Sequence, residues 1–222
     1  SIGGGLELTG GRVPELQGLI EVRRGANVLV QMASPGVEIP DKLHAAIQWR
    51  LLFPVLGRLL HLSPAILFAL AHVGCVLVLG FVLSLLRRHG WGWLAAAQAA
   101  IIVGAGGWFF ASTGWLGYFD SWVVLALLIV AFTGQTWLLW FACAWAPWID
   151  ERFVLGVPLA LWCRELYRAR MGPGSADGFA IHRRELLGAI AIVAVFAVIR
   201  LAVLPARSAP GGAAAGIAVP SS

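Results

Sequence analysis

The chain has 222 residues, of which 59% are hydrophobic and 12% charged, and its mean hydropathy is +0.83. A soluble domain carries roughly a quarter charged residues, so the composition excludes an ordinary soluble domain and indicates a polytopic membrane protein. The net charge of +5 comes mainly from arginines beside apolar runs, which is the pattern of membrane orientation and speaks against nucleic acid as a partner.

Residues 1–40 are the only stretch that reads as water-exposed, an outer-face loop region. Gly3, Gly4, Gly5, Gly10 and Gly11 loosen its start. "NVLVQM" (Asn27 to Met32) reads as a short strand, followed by the turn-rich "ASPGVEIPD". The chain begins at Ser1 with no signal-peptide pattern ahead of its first apolar run, which reads as a fragment with upstream spans missing. Residues 41–62 repeat apolar positions every four residues (Leu43, Ile47, Leu51, Val55, Leu59) and set Arg50, Pro54 and Arg58 on another face. That spacing predicts an amphipathic helix in the membrane interface, kinked or divided at Pro54.

Residues 63–205 form the predicted transmembrane domain. Pro64 to Leu86 is a full span, closed by Arg87, Arg88 and His89. Trp93 to Ser112 is a second span, in which "GAGG" (Gly104 to Gly107) is a packing or kink feature. An interfacial aromatic turn, "GWLGYF", leads to three short apolar runs: Asp120 to Phe132, Trp137 to Trp148 and Phe153 to Cys163. At 1.5 Å per residue each reaches only about 16 to 20 Å. They must extend through their flanks, thin the bilayer, or re-enter within the protein. A basic linker from Arg164 to Arg184 precedes the last span, Glu185 to Leu204, and residues 206–222 read as a disordered tail.

The arginines predict orientation. Residues 87–90 and 164–184 belong on the cytoplasmic side of a bacterial inner membrane. Four segments between them, or two if the middle pair is a re-entrant hairpin, return the chain to the same face. Residues 1–62, Asp120 and the triplet Asp150, Glu151, Arg152 then share the outer face. An Asp opening an apolar helix is explained equally by an N-cap, and Asp150 by a cap on the next helix with Glu151 and Arg152 in headgroup and water. The functional reading makes Asp120 or Glu151 a general base. Arg50, Arg58 and Arg152, with Asp150 beside them, then form a phosphate-binding group, since a guanidinium fork grips phosphate oxygens in pairs. His72 reads as a structural histidine bonded to a neighbouring helix, and the spacing of His44 and His61 suits no metal. Trp49, Trp115, Trp122 and Trp148 read as interfacial anchors, with a sugar-facing role as the alternative. Cys75, Cys143 and Cys163 read as apolar filler.

Beyond these residue-level readings, the order of features is familiar. An outer loop enters an interfacial helix carrying "RLLFPVLGRLL". Two spans around a short basic turn follow, then "GYFDSW", then a helical pair leading through a charged motif into "FVLGVPLAL". Over about residues 46–165 this resembles the polytopic GT-C glycosyltransferase superfamily and related uncharacterised bacterial integral membrane proteins. The resemblance implies an all-α, GT-C-like transmembrane bundle with short or re-entrant helices. It implies transfer of a sugar from a polyprenyl-phosphate-linked donor at the outer face, for envelope glycan or glycolipid assembly. No cofactor is implied beyond that lipid-linked substrate, with a divalent metal left open. The family's acidic base lies in its first outer loop; here that loop falls within residues 1–40 or upstream, where Glu7, Glu15, Glu21, Glu38 and Asp41 match no motif of the family. The alternative is a non-enzymatic scaffold or transporter-like subunit whose charges pair structurally. A transporter is expected to carry ionisable groups near the midplane, where the sequence offers only His72. Membrane lipids are the expected partners; oligomeric state is not legible.

Overall fold

The computed structural model describes residues 27–34, 50–114, 118–171 and 183–207, and every regular element among them is helical. In chain order these are α1 (residues 27–33), α2 (Leu52–Leu59), α3 (Pro64–Arg88), α4 (Trp93–Gly104), α5 (Gly107–Gly114), α6 (Asp120–Phe132), α7 (Thr136–Trp145), α8 (Arg152–Met171) and α9 (Arg183–Arg207), with a 3-10 turn at Ala146–Trp148.

The long helices follow from sequence. Ser63 caps α3, its hydroxyl accepting from the Ile66 N–H, and Pro64 occupies the first helical position, where its missing N–H costs nothing. α3 and α9 are each long and apolar enough to cross a membrane. α4 and α5 make a third candidate span if taken together, bent by 67° at the break after Gly104. The "GAGG" stretch is therefore a kink. The surface agrees with this composition: Leu155 and Leu159 on α8 are 81% and 60% exposed, and large apolar side chains also cover the outside of α3, α4 and α9. A bundle that presents Leu, Ile and Val outward is built for lipid.

α6 is the hub, packing against α3, α5, α7 and α8. Its buried positions Ser121, Leu125, Ala126, Val130 and Ala131 step by four and one, so one broad face is enclosed. On α8 the enclosed positions Phe153, Val157, Ala160 and Arg164 step by four, three and four. One core joins α6, α7, α8 and α9 around Val130, Leu139, Cys143 and Phe153. A second joins α1, α2 and α3 with Phe119 and Ile149, through Val28, Phe53 and Leu67.

Several expectations change. "NVLVQM" is helical, not a strand, and its Val28 is buried against α2 and α3, so this part of the outer-face region belongs to the folded core. The amphipathic helix over 41–62 is observed as α2 alone, with residues 35–49 outside the described set; Pro54 lies in its first turn, where it starts the helix and does not kink it. The apolar run ending at Cys163 does not end the helix. α8 continues to Met171, so Arg164 to Arg170 are helical and not linker; residues 172–182 and the tail from 208 lie outside the described set. Cys75 and Cys143 are buried and all three cysteines are free.

The helices run between two ends. At one, Arg152 at the start of α8 meets Asp120 at the start of α6, and Arg200 late in α9 meets Glu151. At the other, Tyr167 on α8 meets His89 after α3, and Arg164 meets Glu185 at the start of α9. The Arg87–Arg88 turn, the later part of α8 and the start of α9 thus share one end, and the acids of α6 and of the 150–151 turn share the other.

Candidate functional site

The acid end is built around Asp150, in the turn between the 3-10 helix and α8. Its side chain caps α8, accepting from the Arg152 N–H at 2.9 Å. It also accepts from the Arg152 guanidinium at 2.6 Å and pairs with Arg50 Nη2 at 2.7 Å. Asp150 is 1% exposed. Burial alone would push its carboxyl up, but the hydrogen bonds from Arg152 and the charge of Arg50 hold it below the ordinary carboxylate value. Arg152 reaches further, donating from Nη2 to Asp120 Oδ1 at 2.9 Å. The result is a chain of alternating charge, Arg50–Asp150–Arg152–Asp120, in which Asp150 is buried and Arg152 is the most exposed member, its side chain 56% exposed. Asp120 opens α6 without capping it, since Phe119 holds the cap position and Asp120 is spent on Arg152.

Glu151 stands apart, 3.4 Å from Arg200. Arg58 lies away from the site; its Nη1 donates to the Ala33 carbonyl and closes the end of α1. Of the residues singled out, the fold therefore gathers Arg50, Asp120, Asp150 and Arg152, sets Glu151 beside them on a separate pair, and sends Arg58 elsewhere. The tryptophans are structural where described: Trp122 donates to the Leu70 carbonyl at 2.7 Å and packs edge-on to Trp145, and Trp148 packs edge-on to Phe196. Trp49, Trp115 and His44 lie outside the described residues. His72 is exposed on α3, and among the described residues no hydrogen bond joins it to a neighbouring helix. Among the described residues no cluster of three His, Cys, Asp or Glu side chains is placed to hold a metal ion.

A second polar centre, absent from the sequence reading, lies at the other end. Arg164 is 1% exposed yet fully engaged. Its guanidinium donates to both carboxylate oxygens of Glu185, at 3.0 and 3.2 Å, and to the carbonyls of Val130 and Thr133. Arg168 pairs with Glu185 at 2.8 Å and with Glu165 at 3.4 Å, and the Thr136 hydroxyl donates to Glu185 at 2.7 Å. Val130 and Thr133 end α6, so Arg164 satisfies carbonyls that the helix leaves open. Glu185 opening an apolar run is the same signal as Asp120, and could have been paired by the same rule.

Grooves lie elsewhere. One of about 850 Å³ runs between α3 and the α6–α7 turn toward the arginine end, and one of about 210 Å³ lies between α7 and α9. Taken together, the apolar exterior, the candidate spans and charges confined to the two ends define an integral membrane protein of the all-helical class. Compared with protein-family models, with curated proteins and with solved structures, the chain matches none.

Proposed function

We propose that the chain is part of an integral membrane enzyme that transfers a sugar from a polyprenyl-phosphate-linked donor at the acid end of the bundle. One observation carries this reading: Asp120 and the half-exposed Arg152 sit 2.9 Å apart beside the buried Asp150 and its partner Arg50. An exposed guanidinium anchored through Nε and Nη2 is a preorganised phosphate contact, because its Nη1 is left for a phosphate oxygen. A donor phosphate engaging Arg152 would loosen Asp120 at the same moment. The acceptor hydroxyl then gives its proton to Asp120 as its oxygen bonds to the anomeric carbon, and the carbon–oxygen bond to phosphate breaks, releasing polyprenyl phosphate. Glu151 is the second candidate base. The positive-inside rule puts the arginine-rich end in the cytoplasm and the site on the outer face.

The scaffold reading has its own observation: Asp120, Asp150, Glu151, Glu165 and Glu185 are all ion-paired. The two separate on transfer assayed in membranes supplied with a radiolabelled polyprenyl-phosphate sugar. The enzyme reading expects Asp120→Asn to remove transfer with protein level and melting behaviour close to the parent, and Arg152→Gln to remove it while also lowering the melt, because Asp150 loses its main partner. Transfer that persists in both variants, or is absent in the parent across donors, leaves the scaffold.

A further inference from the structure

The larger groove has features that the proposed transfer does not use, and it lies toward the opposite end of the bundle. Its inner length is apolar: Val76, Leu77 and Phe81 of α3 face Leu138 of α7. Its mouth is polar: Ser84 and Arg88 of α3 stand across from Gln135. Val76 is 69% exposed and Leu77 43%, so the groove opens on the outer surface of the bundle. Arg88 is exposed, and its guanidinium has no protein partner among the described residues, whereas neighbouring Arg87 is spent on the Trp91 carbonyl and the Trp93 ring.

The dimensions select the occupant. From Val76 to Arg88 a helix rises about 18 Å, close to half of the roughly 30 Å hydrocarbon core. A groove of that length, apolar over its inner part and ending in a guanidinium, a hydroxyl and an amide, matches one leaflet's depth of acyl chain together with its phosphate. The charge matches as well: this end carries Arg87, Arg88, Arg164, Arg168, Arg170, Arg183 and Arg184 against Glu165 and Glu185 among the described residues. We infer that the groove between α3 and the α6–α7 turn binds an anionic glycerophospholipid of the surrounding bilayer, with an acyl chain along Leu77 and Phe81 and the phosphodiester on Arg88.

Gly80 provides a way to block the groove without disturbing the fold. It lies on the groove wall, and a Cβ placed there meets nothing within 4 Å, so a larger side chain has room to extend into the groove. The test is native mass spectrometry of the detergent-solubilised chain titrated with phosphatidylglycerol or phosphatidylcholine of the same acyl composition. The parent should bind the first phosphatidylglycerol about five-fold or more tighter than phosphatidylcholine, the preference expected of one arginine at a membrane surface. Arg88→Gln should remove that preference, Arg88→Lys should keep most of it, and Gly80→Phe should weaken both lipids. Equal affinity for the two lipids in the parent overturns the inference. So does a preference that survives Arg88→Gln, or Gly80→Phe binding both lipids as the parent does.

Discussion

Asp150 meets two guanidiniums while almost wholly withdrawn from water, and the fold holds it there by three independent contacts: a helix cap, a hydrogen-bonded arginine and a second ion pair. Because its folded carboxyl lies below the ordinary value of 3.8, it contributes stability that is present at higher pH and lost as pH falls below the unfolded value toward the folded one. The melting midpoint of the solubilised chain should therefore drop on the acid side of about pH 4. Asp150→Asn should melt much lower at neutral pH and show a flatter acid limb; an unchanged acid limb would remove Asp150 from that role. Arg164 makes the sharper comparison with Arg168. Both bind Glu185, but Arg164 is buried and also holds two helix-end carbonyls, whereas the Arg168 side chain is 27% exposed. Breaking a buried pair costs roughly 3–5 kcal/mol, while a half-solvated one costs about 1 kcal/mol or less. Arg164→Met should thus lower the melting midpoint several times more than Arg168→Met, and equal shifts would contradict the assignment.

At the scale of elements, α8 holds α6 at both ends. Arg152 and Arg164 stand twelve positions apart on α8, and their partners on α6, Asp120 and the carbonyls of Val130 and Thr133, are ten and thirteen positions apart. The two helices run in the same direction, so one pair of arginines brackets a helix of 13 residues. An acid at the first turn and a guanidinium at the last also suit the helix dipole. α3 approaches α6 from the other side, and Gly74 sets that distance. A methyl there would run into the Ser121 hydroxyl and come within 2.7 Å of the Trp122 ring. The contact matters because Ser121 and Trp122 both bond to the α3 backbone, at the Ala71 and Leu70 carbonyls. Gly74→Ala should destabilise the bundle by about 1–3 kcal/mol through overpacking, whereas Gly80→Ala, in open space within a helix, should leave the melt unchanged or raise it slightly. Equal behaviour would mean that α3 and α6 do not pack this way.

Across the whole molecule the arrangement is a sorting of charge to two ends separated by an apolar girdle. Threading predicts that the two ends lie in different compartments. In a background with Cys75, Cys143 and Cys163 replaced by Ala, a membrane-impermeant maleimide should label Leu60→Cys in intact cells. It should reach Gly134→Cys only after lysis. Both positions are exposed, so labelling of both from the same side would rule out the threading on which the proposed outer site rests.

Hydropathy and the arginine clusters were enough to read the all-helical class, α3, α9 and an apolar stretch over α4–α5 with GAGG as a packing or kink feature, because the bilayer imposes length and apolarity on each helix separately. The grouping of Asp120 with Arg152 was also open to that reading, since parity of crossings alone brings them to one end. The sequence misjudged Arg164, because a charge at the end of an apolar run looks like a boundary when its partner, Glu185, is 21 positions away. It likewise left Arg58 with the phosphate group, when its hydrogen bond goes to α1. A linear pattern reports how each segment meets water or lipid. Which buried charge neutralises which depends on distances between helices, and only the packed bundle decides those.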